Sequence, residues 1–196
     1  MAALGVHFLT LSSHKLGGPQ GVGALVLGQC GETPVLVQGG GQEKKARAGT
    51  ENVAGVAGFG LAAELAARDL DFEFSRLSAL RDTFERRVVE ACPAVTIHGA
   101  GQPRLPGTSL FSLPGLKAET LLMALDLSGF CVSNGSACTS GKVEASHVLA
   151  AMGVPTDIAR AALRVSMGFG TQVDEVDSFL AALQNCAPVD KIARAS

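Results

Sequence analysis

Four stretches of the chain combine residue types that could do chemistry. The first is Ser12-Ser13-His14-Lys15, followed by Leu16-Gly17-Gly18-Pro19-Gln20-Gly21. A lysine in a serine- and glycine-lined turn ahead of an apolar strand can be held away from bulk water. Desolvation disfavours the ammonium, and the neutral amine is the form that makes a Schiff base with an aldehyde. Two hydroxyls and an imidazole beside it could bind a phosphate; an ordinary surface lysine in a hairpin turn fits the same pattern. The second stretch is Gly39-Gly40-Gly41-Gln42-Glu43 with Arg47-Ala48-Gly49-Thr50. Backbone amides, a hydroxyl and a guanidinium could converge there on an anion, although a flexible surface loop reads alike. Neither the P-loop lysine motif nor the dinucleotide-binding glycine fingerprint occurs.

The third stretch holds Cys138 in Ser136-Ala137-Cys138-Thr139-Ser140-Gly141. Cysteine is usually a small buried hydrophobe, but this setting of Ser, Gly, Asn and Ala favours an accessible thiol. Cys131, in an apolar strand, is expected in the core, and Cys92 and Cys186 are expected to be structural; Cys30 is left open. The fourth is Arg164 in Leu163-Arg164-Val165-Ser166-Met167. A charge within a strand must face solvent or find an anion, and a carboxylate suits a guanidinium. His98 and His147 read as packing or surface histidines.

These residues need elements to position them. Short apolar runs at 22–27 and 35–37 read as buried strands, and 53–67 as a helix whose small residues pack closely on a sheet. A charged joint at 69–73 precedes an amphipathic helix over 74–91, stopped by Pro93. Strands follow at 95–98, 109–113, 130–133 and 163–167, and helices at 119–127 and 144–152. Thr171-x-x-Asp174 reads as a capping box opening a last helix to about residue 185. Strands alternating with helices give an α/β or α+β class, with a joint near residue 70.

Composition removes other classes. The chain has 196 residues, 47% apolar and 17% charged, with a mean hydropathy of +0.30, which does not fit a disordered chain. Sixteen Lys+Arg against 18 Asp+Glu leave no basic footprint for nucleic acid. No apolar run approaches the roughly 20 residues of a membrane span, and no signal peptide is recognisable. Five widely spaced cysteines with no CxxC pair argue for reduced thiols in the cytoplasm, and against disulfides or a structural zinc site.

The order SSHKLGGPQGVGALVL, GGGQEKKARAGTENVAGVAGFGLAAE, SNGSACTSG, LRVSMG resembles the cysteine desulfurase family, in its nitrogen-fixation and iron–sulfur housekeeping branch. That family lies within the class V aminotransferase group of pyridoxal-phosphate enzymes. The resemblance implies an α/β fold, the C-terminal part of a fold type I transferase. Residues 1–70 would belong to the large cofactor-binding domain, and 71–196 would form a small α+β domain carrying the cysteine loop. It implies that Lys15 forms the Schiff base with pyridoxal 5'-phosphate and shuttles protons. Ser12, Ser13 and His14 would contact that cofactor, and Thr50 would reach the phosphate in a neighbouring subunit of a homodimer. Arg164 would clamp the carboxylate of L-cysteine, and Cys138 would take its sulfur as a persulfide, releasing alanine.

The implied acceptor is an iron–sulfur scaffold or another protein, and Cys138 would be at most a transient iron–sulfur ligand, with no metal site of the chain's own. A selenocysteine lyase-type member, or a non-catalytic piece that binds a scaffold or a complementary chain, is the alternative. Asn134 stands where a smaller residue is usual, and Lys44-Lys45 where Arg-Gly is usual. The chain reads as the C-terminal half of such an enzyme. The family's ring-stacking histidine, its acidic partner of the pyridinium nitrogen and most of the large-domain sheet then fall outside it.

Overall fold

Alternating apolar residues on either side of a glycine-rich turn form the first paired element. In a computed structural model, β1 (Phe8–Ser12) and β2 (Gly23–Leu27) pair antiparallel, with Phe8 opposite Leu27 and Ser12 opposite Gly23. The structure describes residues 1–28, 35, 37–134 and 146–187. It divides into two compact units, the first Met1–Leu70 and the second from Asp71 onward.

In the first unit, α1 (Gln42–Lys45) is a single distorted turn and α2 (Val53–Arg68) a regular helix. Asn52 caps α2, its side chain accepting from the Gly55 N–H at 3.0 Å. The small residues of α2 do pack closely, but against the turn between the strands. A Cβ on Gly55 would lie 2.6 Å from Val22, and one on Gly58 would lie 2.6 Å from Pro19. The strand expected at 22–27 forms, but it is exposed rather than buried, as Leu25 and Leu27 show. The reason is geometric: α2 covers the turn of the hairpin, so its close packing does not extend along the strands. The run at 35–37 lies partly outside the described residues.

The second unit is a four-stranded antiparallel sheet in the order β3-β4-β6-β5. Its strands are β3 (Thr96–Ile97), β4 (Thr108–Ser112), β5 (Ser133–Asn134) and β6 (Ala162–Ser166). One face carries the main core, built with α3 (Leu70–Ala91), α4 (Ala118–Leu127) and α7 (Val173–Cys186). The Phe84 ring sits 5.8 Å from those of both Phe111 and Phe179 and joins α3, β4 and α7. The short helices α5 (His147–Ala151) and α6 (Thr156–Arg160) cover the other face through Leu149, Ala159, Ala162 and Leu110. Arg76 of α3 holds the turn after β6, donating to the carbonyls of Gly168, Phe169 and Thr171 while paired with Glu73.

Several expectations shift. The charged joint is the first turn of α3, where Asp71 and Glu73 suit the positive end of the helix dipole. The capping box lies one residue later than Thr171: the Gln172 N–H donates to Glu175 at 2.8 Å, and Gln172 accepts in return from the Glu175 N–H. Thr171 instead accepts from the Gly168 N–H. Cys131 is exposed, not core: the strand expected at 130–133 forms only at Ser133–Asn134, and in the segment before it Phe130 and Val132 pack on the core while Cys131 between them does not. Cys92 is buried, and burial pushes its thiol pKa up, which keeps it protonated and inert. Cys30 lies outside the described residues.

His98 is a packing histidine with a polar anchor. Its Nε2 lies 2.7 Å from Ser112 Oγ, and that hydroxyl donates to the Ile158 carbonyl at 2.8 Å. The hydroxyl proton is therefore committed, so Nε2–H donates to Oγ. Burial holds the ring's pKa below the usual value. As pH falls below about 6.5 the unfolded chain takes up this proton first, so folding weakens, by at most about 1.4 kcal/mol per pH unit. Urea midpoints of His98→Gln should vary less between pH 7.5 and 5.5 than those of the parent chain; equal variation contradicts this.

Candidate active site

The turn between β1 and β2 is a 3-10 turn, Ser13–Leu16, closed by Gly17 at φ 81°, whose N–H returns to the Ser13 carbonyl. The Ser13 N–H donates to Val22 and the Gly18 N–H to Ser13, each near 3 Å, so the turn is fastened at both ends. A Cβ on Gly18 would lie 2.3 Å from Ser13 Oγ and 3.1 Å from Ala62, so only glycine lets the turn approach α2. On this frame Ser12, His14 and Lys15 are successive or next-neighbour residues. His14 and Lys15 are exposed, and the Ser12 hydroxyl is not used to cap the turn. Lys15 is therefore presented, as the surface-lysine reading of its sequence context has it; the described residues of its own unit put no apolar wall around the amine. Ser13 stands apart from its neighbours. Its side chain is fully buried and its hydroxyl has no partner among the described residues, so in this arrangement it is out of reach of a ligand.

The glycine-rich loop lies in the same unit. The Ala48 N–H donates to the Val37 carbonyl, and a Cβ on Gly39 would meet Ala48 at 2.8 Å. Arg47, expected as an anion ligand, instead donates to the carbonyls of Ala48 at 3.2 Å and Gly49 at 2.9 Å, and pairs with Glu43. Thr50 follows and is exposed. Glu43, Lys44 and Lys45 all have positive φ, between 52° and 71°. The Lys44-Lys45 departure, expected to be tolerated, carries a backbone cost at Lys45: a side chain in that region costs about 1–2 kcal/mol, which glycine avoids. After allowance for the greater freedom of an unfolded glycine, Lys45→Gly should stabilise by about 0.5–1 kcal/mol. A thermal midpoint that falls would contradict the loop conformation.

In the second unit Arg164 occupies the centre of β6. Leu163 and Val165 enter the main core, so alternation places Arg164 on the face of Leu110 and Ala162. It is half-buried, and its Nε is buried without an acceptor among the described residues. Its cross-strand partners are Leu110 on one side and Ser133 on the other. Cys138 lies outside the described residues; the last described residue before it is Asn134, which follows Ser133, the partner of Arg164. No local pattern announces the pairing of Ser133 with Arg164, because it is set between strands distant in sequence. Ser12, His14 and Lys15 are thus brought together, Thr50 is in the same unit, and Arg164 adjoins the root of the Cys138 segment. Among the described residues, no group of three His, Cys, Asp or Glu could hold a metal ion, and no helix is long and apolar enough to cross a membrane.

The chain is similar to known proteins over most of its own length. Cysteine desulfurase IscS of Dictyoglomus turgidum is 43% identical over 181 residues, 92% of this chain and 46% of that protein. The IscS-like cysteine desulfurase of Mycobacterium tuberculosis is 41% identical over 182 residues, with the same coverage of each. Among solved structures, a NifS-like protein from Rickettsia africae superposes with a TM-score of 0.84 at 35% identity, covering 94% of this chain and 48% of that one. The chain therefore spans just under half the length of these relatives. The family model described as Aminotransferase class-V matches residues 1–179. This chain belongs to the class-V aminotransferase family.

Proposed function

We propose that the chain serves a pyridoxal 5'-phosphate-dependent cysteine desulfurase, which turns L-cysteine into L-alanine and leaves a persulfide on Cys138. The observation that carries this reading is the pairing of Ser133 with Arg164. Four residues lie between Ser133 and Cys138, so five steps of chain span at most about 18 Å. That length of chain allows the thiol to reach a substrate held by its carboxylate on Arg164, whose buried Nε has no acceptor among the described residues and suits an anion.

The donor set on the Lys15 turn fits the cofactor: an exposed primary amine beside the Ser12 hydroxyl and the His14 imidazole. Ser12, His14 and Lys15 would hold it, with Thr50 contributing to the phosphate of a partner subunit's cofactor in a homodimer. The buried Ser13 hydroxyl is left out of this set. When bound, the cofactor supplies an electron sink for the carbon skeleton of the substrate. Arg164 orients the substrate. The Lys15 amine takes and returns the proton at the substrate's Cα. The Cys138 thiolate forms an S–S bond as the substrate's Cβ–S bond breaks, and the remaining three-carbon unit takes up a proton and leaves as alanine. The persulfide then passes to an acceptor protein, an iron–sulfur scaffold in this reading, in the cytoplasm. The names of the relatives favour sulfur over selenium, and catalysis over a purely binding role.

Borohydride reduction after addition of pyridoxal phosphate should fix the cofactor on the Lys15 peptide, and Lys15→Ala should lose that label. Labelling spread equally over other lysines, unchanged in Lys15→Ala, contradicts the assignment.

A further inference from the structure

Thr50 sits between two fastened points. After it, Asn52 caps α2 by accepting from the Gly55 N–H at 3.0 Å. Before it, the guanidinium of Arg47 bridges the carbonyls of Ala48 and Gly49, and Ala48 is itself tied to Val37. Gly49, at φ 94°, is the flexible joint that this bridge holds in place. The same guanidinium is paired with Glu43 at 3.5 Å, so it is engaged on three sides by its own loop. A guanidinium spent in this way is a clip and not a ligand.

We infer that Arg47 is a positioning residue: by clipping the two carbonyls before Thr50, it fixes the direction in which the Thr50 hydroxyl is offered to a phosphate. This rests on the reading above that Thr50 binds the cofactor's phosphate. A side chain acting only through Thr50 should matter for a phosphorylated ligand and not for its dephosphorylated counterpart, and should not matter once Thr50 is gone.

The test is a titration of the parent chain, Arg47→Ala, Thr50→Ala and the double variant, with pyridoxal phosphate and with pyridoxal. Thermal unfolding of each checks the fold. Arg47→Ala should weaken pyridoxal phosphate binding about fivefold, the scale of one or two lost hydrogen bonds, and leave pyridoxal binding unchanged. In the Thr50→Ala background the same change should add no further loss. If Thr50→Ala weakens binding and Arg47→Ala does not, or if the two losses multiply, or if pyridoxal binding falls equally, the role of Arg47 is overturned. If Thr50→Ala leaves pyridoxal phosphate binding unchanged, or the parent chain binds none, the reading of Thr50 fails first, and the role of Arg47 with it.

Discussion

Cys138→Ser should lower persulfide and sulfide formation from L-cysteine by ~10³-fold or more, while leaving cofactor capture on Lys15 intact. A serine hydroxyl is a far weaker nucleophile than a thiolate at neutral pH, and it cannot take up sulfur as a persulfide. Burial keeps the Cys92 thiol protonated, so it does not replace Cys138. Cys131 is exposed and lies two residues before Ser133, so Cys131→Ser is the control and should leave persulfide formation intact. Unchanged sulfide release by Cys138→Ser would remove the nucleophile from this account.

The second large effect belongs to Arg164. Arg164→Leu should lower kcat/KM for L-cysteine by about 100-fold, mostly through KM, because a bidentate, charge-assisted grip on the carboxylate is lost. The same variant should not lose stability. In the structure the Arg164 Nε is buried without an acceptor among the described residues, between Leu110 and Ser133, so a shorter apolar side chain removes an unsatisfied donor. A loss of activity with an unchanged or higher unfolding midpoint is the signature of a residue kept for its ligand. Equal loss of both would make Arg164 a structural residue.

The helices were legible where periodicity was strong. Leu77, Leu80, Phe84 and Val88 form one stripe of α3 and enter the core as their spacing requires. Its start was not legible, because the charged residues at 69–73 look like a linker until the dipole preference of Asp71 and Glu73 is considered. The five-residue helix α6 was not foreseen, since so short a segment shows no periodicity. Composition alone does not say which side of an extended segment Cys131 takes; Phe130 and Val132 pack inward, before β5 begins, and leave it exposed.

At the site, the glycines around Lys15 were informative, because close packing against α2 demands them, as Gly18, Gly55 and Gly58 show. The burial of Ser13 is not legible there, and neither is the choice between a surface and a sheltered Lys15, since both depend on which side of the turn α2 covers. Arg47 illustrates the same limit. Its charge beside glycines suggested a bound anion, whereas its reach is taken up by its own backbone.

The central claim is that the Lys15 amine and the Cys138 thiol serve one reaction. Peptide mapping by mass spectrometry, after the chain is mixed with pyridoxal phosphate and L-cysteine and its thiols are alkylated, tests it most directly. The account predicts one added sulfur on the Cys138 peptide, present only with the cofactor and missing from Lys15→Ala. Sulfur appearing on Cys138 without cofactor, or as readily in Lys15→Ala as in the parent chain, would contradict it.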